Sequence, residues 1–118
     1  MTVQECYAKL NGCYEDALKR LMRDNLIERF MLMFPNDESM KSLRASIAAN
    51  DQNGCFRAIH SLKGVAGNLA FTKLQRDASM LTEQLRSGEE MPDEALLKKV
   101  EDSYKEVIDT LEEYVKEK

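Results

Sequence analysis

His60 is the only histidine in this 118-residue chain. Lys63 follows three residues on, with Gly64 next to it and Gly67 three further along. Imidazole carries a ring nitrogen with a free lone pair. As a residue type it titrates near about 6.5, so an exposed one is largely neutral at pH 7 and attacks without help from a general base. An ammonium group three residues along a helix can reach the space above the ring. It offers a mobile point charge with three donors to a negative group placed there. The chemistry such a pair supports is transfer of an anionic group, such as a phosphoryl group, onto the imidazole.

Other chemistries find little support. A hydrolytic triad needs a nucleophile and an orienting partner in one pocket. Ser61 is adjacent in sequence and, on a helix, points about 100° away from His60. One histidine excludes a His-rich metal site. Cys6, Cys13 and Cys55 are odd in number and fit no zinc spacing. They read as small buried hydrophobes in a reducing compartment. No Gly-rich nucleotide loop follows a strand, so ATP binding and self-phosphorylation are not expected. With net charge −4 and a pI near 5.1, the chain lacks the basic footprint a phosphate backbone requires, and no nucleic-acid partner is expected. The longest apolar run, Phe30-Met31-Leu32-Met33-Phe34, stops at Pro35, far short of a membrane span. No membrane partner is expected, and the protein is expected to be cytoplasmic.

The element that must present His60 runs from about Asp51 to Ala70. At roughly 100° per residue, Cys55, Ala58, Ile59, Leu62, Val65, Ala66 and Leu69 fall on one broad arc. That arc faces the core, and His60 lies opposite its centre. Asn53, Phe56, Arg57, Lys63, Gly64, Gly67 and Phe71 share the side of His60. Each glycine in a helix interior costs about 1 kcal/mol relative to alanine, and on an exposed face neither can be explained as core filling. Bare backbone beside an exposed imidazole lets a large partner approach, so Gly64 and Gly67 read as steric access. The alternative is that the glycines admit another helix of the same chain, which would cover His60 too. Phe56, one turn before His60, reads either as part of a docking surface or as packing under a neighbouring segment.

Around this helix the whole chain reads as α. Leu, Met, Ala, Glu, Lys and Arg dominate, there are five glycines, two prolines and no tryptophan, and no segment alternates as a strand would. Thr2-Val3-Gln4-Glu5 has capping-box form, with Val3, Tyr7 and Leu10 inward. A second stretch from about Cys13 places Tyr14, Leu18 and Leu21 inward. Asp24 can cap a third, with Leu26, Phe30, Met33 and Phe34 as its stripe. After a turn at Pro35-Asn36-Asp37, Met40, Leu43 and Ile47 mark a short helix. Thr72-Lys73-Leu74-Gln75 again has capping-box form, followed by a seam of Leu74, Ala78, Leu81 and Leu85 that Ser87-Gly88 stops. Pro92-Asp93-Glu94 opens the last helix, with a seam of Leu97, Val100, Tyr104, Val107, Leu111 and Tyr114 or Val115. Short linkers imply antiparallel neighbours. The expected fold is all-α, an antiparallel four-helix bundle over about 36–117, with two or three short helices over about 1–35 capping it, in one domain spanning 1–118.

The run His60-Ser61-Leu62-Lys63-Gly64-Val65-Ala66-Gly67-Asn68-Leu69 resembles the signature of histidine phosphotransfer (HPt) domains. His60, Leu62, Lys63, Gly64, Ala66 and Leu69 match it. Ala70 departs where the family often has Gly, a change of one small residue for another with little expected consequence. The resemblance is specific over about a dozen residues, and length and helix order agree for the rest.

It implies a four-helix bundle with the histidine exposed midway along one helix. Nε2 of that histidine takes a phosphoryl group from a receiver-domain aspartate and passes it to another receiver. Lys63 would steady the group, and Gly64 and Gly67 would leave room for the receiver. Many members hold the other ring nitrogen with a Gln or Glu on the following helix. The offset places this position near Thr82, with Gln84 a nearby alternative, and Arg86 could add positive charge. The implied partners are response-regulator receiver domains and a hybrid sensor histidine kinase, with Phe56, Arg57 and Arg86 as candidate partner contacts. Magnesium would sit on the receiver, so no cofactor is expected on this chain. The chain would be a phosphocarrier without kinase activity, expected to be a monomer. The competing readings are a docking bundle never phosphorylated, an enzyme using His60 as a general base, and the phosphoacceptor domain of a chemotaxis-type kinase.

Overall fold

The computed structural model describes residues 1–118. The chain is all-helical: α1 (Val3–Lys9), α2 (Tyr14–Leu21), α3 (Asp24–Met33), a 3-10 turn (Phe34–Asn36), α4 (Ser39–Ala48), α5 (Gln52–Asn68), α6 (Thr72–Leu85) and α7 (Glu94–Lys116). None is long and apolar enough to cross a membrane.

Helices α4 to α7 pack in sequence order, α4 on α5, α5 on α6 and α6 on α7. Cross-links fix their directions. On α4 and α5, Ser39 and Ser61 hydroxyls meet at 2.9 Å, while Ser46 abuts Gly54. The Gln52 amide at the start of α5 donates to the carbonyl of Leu85 at the end of α6, at 2.9 Å. Lys73 pairs with Glu106 at 3.0 Å, and Ser103 donates to the buried carboxylate of Asp77. Each adjacent pair therefore runs antiparallel. Arg44 closes α4 on α7, pairing with Glu101 at 3.1 Å and lying 5.6 Å over the Tyr104 ring.

The three N-terminal helices are fastened across one end. Tyr7 donates to the carbonyl of Leu69 at 2.7 Å, and burial pushes its phenol pKa up. Aromatic contacts run Tyr14–Tyr7–Phe71–Phe34–Tyr104, with centroids 6.0, 5.6, 5.4 and 5.7 Å apart. Such pairs add about 0.5–1.5 kcal/mol each beyond burial. They tie α1 and α2 to the α5–α6 turn and to α7, in a chain with no tryptophan to fill that volume. Ion pairs Lys9–Glu113 and Lys118–Glu28 hold the same end from the surface.

The caps show where local sequence signals decide and where they do not. Thr2 and Glu5 form the expected capping box, and Asp51 and Asp93 cap α5 and α7. Asp24 does not cap α3: Arg23 holds that position in extended conformation, and the Asp24 carboxylate accepts from the Tyr14 hydroxyl instead. Thr72 is likewise inside α6, whose N-cap is Phe71. Its hydroxyl turns back to the carbonyl of Ala70. In α2 the buried residue is Ala17, and Leu18 is exposed. In α3 the buried stripe is Ile27 and Met31, continuing to Phe34, while Phe30 and Met33 face out. In both helices the buried seam lies one residue from the expected one, because spacing along a single helix does not fix which side its neighbours cover. At the end of α7 Tyr114 is buried and Val115 exposed.

Helix α5 ends in a Schellman turn. Phe71 N–H donates to the carbonyl of Ala66 at 2.9 Å and Ala70 N–H to that of Gly67 at 3.1 Å. This requires Ala70 at φ 55°, the left-handed region that glycine enters without cost and alanine does not. The departure from the HPt signature at this position thus has a consequence that side-chain size alone does not show. Replacing Ala70 by Gly should stabilise the protein by about 1 kcal/mol, raising the thermal midpoint by roughly 4 °C. An unchanged or lowered midpoint in calorimetry would contradict this.

Candidate functional site

His60 sits near the middle of α5, exposed, on the face away from the core. The opposite face, Cys55, Ala58, Ile59, Leu62, Ala66 and Leu69, is buried as the periodicity requires, and Val65 is half-buried. The Phe56 ring stacks on the imidazole, centroids 5.9 Å apart and planes 27° from parallel. Arg86 at the end of α6 places its guanidinium 5.6 Å over the same Phe56 ring. Phe56 is half-buried against the core, so it serves as packing and as surface at once. Arg57 is exposed on the other flank, lining a polar groove with Ser39, Ser42, Ser46 and Ser61.

Beside His60 lies a hollow of about 240 Å3 bounded by Arg20, His60, Lys63, Gly64, Gly67, Asn68 and Gln75, with no hydrophobic side chain in its wall. The two glycines do different things here. At Gly64 an added Cβ would meet nothing within 4 Å, so the backbone beside the imidazole is open. At Gly67 an added Cβ would come within 2.9 Å of the Gln75 amide nitrogen, and Gly67 is buried. The flexible end of the Gln75 side chain from α6 therefore lies over Gly67, and this packing leaves His60 exposed. Phe71, placed with His60 on the helical wheel, is in the core: the chain leaves the helix at Leu69 and Ala70 before reaching it.

The residues expected to hold the second ring nitrogen are turned elsewhere. Thr82 is fully buried and its hydroxyl donates to the carbonyl of Ala78 at 2.7 Å. Gln84 secures the α6–α7 loop, donating to the carbonyl of Met91 at 3.1 Å and accepting from the N–H of Asp93 at 2.9 Å. An offset counted along the chain assumes a fixed turn between the helices. Here the side chain that α6 brings to the hollow is Gln75, two turns earlier than Thr82. Its polar character beside the buried seam of Leu74 and Ala78 was the available signal. For Arg20 no local signal exists, because it arrives from α2.

Charge around the imidazole is mostly positive. Arg86 holds the Glu83 carboxylate through two hydrogen bonds of 2.8 and 3.1 Å. That pairing keeps the Glu83 pKa below the usual carboxylate range, and Lys63 adds a smaller pull in the same direction. No group of three or more His, Cys, Asp or Glu side chains is placed to hold a metal ion. The cysteines are all free, Cys6 and Cys55 buried, and burial pushes the Cys6 thiol up to about 11.

This helical protein displays one exposed imidazole, stacked on Phe56, with a lysine and open backbone beside it. The family model for the Hpt domain matches residues 31–114, and the chain belongs to that family, the histidine phosphotransfer modules of phosphorelays. No match was found among curated proteins or among solved structures.

Proposed function

We propose that this chain is a phosphocarrier which accepts a phosphoryl group on His60 from a receiver-domain aspartate and passes it to the aspartate of a second receiver. One observation carries the reading: His60 stands clear of the core, with nothing beside Gly64 within 4 Å of an added Cβ and with Lys63 lining the same hollow.

The imidazole, protonated at Nδ1, attacks phosphorus through the Nε2 lone pair. The N–P bond forms as the P–O bond to the aspartate breaks, and the electron pair leaves with the carboxylate. The ring is left cationic and releases the Nδ1 proton to water. In the onward step Nδ1 takes a proton back from water, a second carboxylate attacks phosphorus, and the electron pair of the N–P bond returns to Nε2, which restores the neutral imidazole. Phosphoryl transfer passes through a loose transition state in most analyses, so positioning and charge neutralisation dominate. The receiver's own carboxylates are expected to hold the magnesium. From this chain Lys63 contributes a cation, Gly64 contributes clearance, and Phe56, Arg57 and Arg86 contribute a rim for the partner.

In this reading α4 to α7 form the antiparallel four-helix bundle of a single domain and α1 to α3 are its accessory cap. The donor receiver belongs to a hybrid sensor kinase, and the chain works as a cytoplasmic monomer with no cofactor, no kinase activity of its own and no nucleic-acid or membrane partner. The test is incubation with a receiver domain charged by a small phosphodonor. Label should appear on the chain, be lost in acid, and map to the peptide containing His60. Label that resists acid or maps elsewhere would refute the proposal.

Lys63→Ala should slow transfer about tenfold, the loss of one charge-assisted contact. The side chain is partly exposed and in no ion pair within the chain, so the melting temperature should hold. Rates equal to wild type in a quench-flow assay would remove Lys63 from the site.

A further inference from the structure

We infer that Arg20, delivered from α2, is a second cation that grips the phosphoryl group on His60 and completes the anion site that Lys63 begins. This rests on the phosphocarrier reading of His60 and names a residue which that reading does not require.

The geometry comes first. Arg20 lies in the last turn of α2 and shares the wall of the hollow with His60, Lys63, Gly64, Gly67, Asn68 and Gln75. Every side chain in that wall is a cation, an amide or the imidazole itself, and none is a carboxylate. In a chain with 21 acidic and 17 basic residues, a hollow walled by two cations and no acid stands apart from the average surface.

The charge balance points the same way. A phosphoryl group brings about −1.5 to −2 charges near neutral pH, and Lys63 alone cannot match that. Arg20 takes part in none of the chain's ion pairs, so its five donors are available. A guanidinium presents two parallel N–H groups to two phosphate oxygens, where an ammonium acts as a point charge. The two cations would therefore do different work, Arg20 fixing orientation and Lys63 following the group as it moves.

Placement also links Arg20 to the partner. Arg20 and Asn68 line the neighbouring groove as well, a cavity of about 520 Å3 walled by Leu21, Phe30, Met33 and Val65. A receiver docked over His60 and this groove would exclude water from Arg20, and charge interactions strengthen when water is excluded. Arg20 lies outside residues 31–114 that match the family model, so this cation belongs to the accessory helices and not to the matched segment.

The test uses full-length chain phosphorylated on His60 with a small-molecule phosphoramidate, as wild type, Arg20→Ala, Arg20→Lys and Lys19→Ala. Phosphorus NMR follows the second ionisation of the phosphoryl group, which a nearby cation lowers. Arg20→Ala should raise it by about half a unit, Arg20→Lys should retain most of the wild-type value, and Lys19→Ala, one residue away and outside the hollow, should match wild type. Transfer from the labelled chain to an uncharged receiver should slow about tenfold in Arg20→Ala. Wild type that labels on His60 while Arg20→Ala titrates identically would overturn the role of Arg20 and leave the phosphocarrier reading standing. Wild type that takes no label on His60 would end both.

Discussion

The His60→Gln protein should fold as the wild type does and take no label above background from a charged receiver. Glutamine keeps a polar side chain of similar reach, but its amide nitrogen has its lone pair delocalised into the carbonyl and cannot attack phosphorus. His60 is exposed, so the change removes no core and should fall within about 0.5 kcal/mol of wild-type stability. No neighbour is positioned to take over. Ser61 has its hydroxyl paired with Ser39 at 2.9 Å on the flank facing α4, and the thiol of Cys55 is buried. Transfer should thus be lost outright rather than reduced. Acid-labile label retained by the variant would mean that the reactive group is another residue.

The second large effect separates clearance from chemistry. Gly64→Leu should leave the helix intact and even stabilise it by about 1 kcal/mol, since Gly is the costliest common residue in a helix interior after proline. Space for the side chain exists, because nothing lies within 4 Å of an added Cβ. That same space is the approach path to His60. An isobutyl group there should hold a receiver away from the imidazole, and misplacement by about 1 Å can cost about a hundredfold in rate. Labelling by a small phosphoramidate, which needs no docking surface, should change far less. The expected pattern is a protein that melts higher, still accepts a phosphoryl group from a small donor, and exchanges with a receiver about a hundredfold more slowly. Equal losses with both donors would show that the substitution disturbs the imidazole itself.

Gly67 shows why the two glycines cannot be treated alike. They stand on the same side of the helical wheel, so the sequence presents both as clearance. Only Gly64 is open, while Gly67 lies beneath the Gln75 side chain. The wheel gives the direction in which a residue points but not what arrives there from another helix. Thr82 and Gln84 fail as supports for His60 on the same ground. Both are on α6 as expected, but its rotation and the turn before it send one into the core and the other to the α6–α7 loop. Leu18, Phe30 and Met33 were assigned inward from spacing alone. They are outward because the flank of α2 and α3 on which they lie is left uncovered.

Local chemistry was enough for the helices, for the cap at Thr2, for the seams of α6 and α7, and for an imidazole opposite the apolar arc of α5. Each follows from forces acting within a few residues: backbone hydrogen bonding, end capping and the period of a single helix. Tertiary structure decided which residues stand around that imidazole. Arg20 reaches the hollow only because the aromatic contacts from Tyr14 to Tyr104 seat α2 against the end of α5, and Gln75 reaches it only because α6 runs back along α5 after the left-handed turn at Ala70. Those placements are set by packing between residues far apart in the chain, and no periodicity within one helix encodes them.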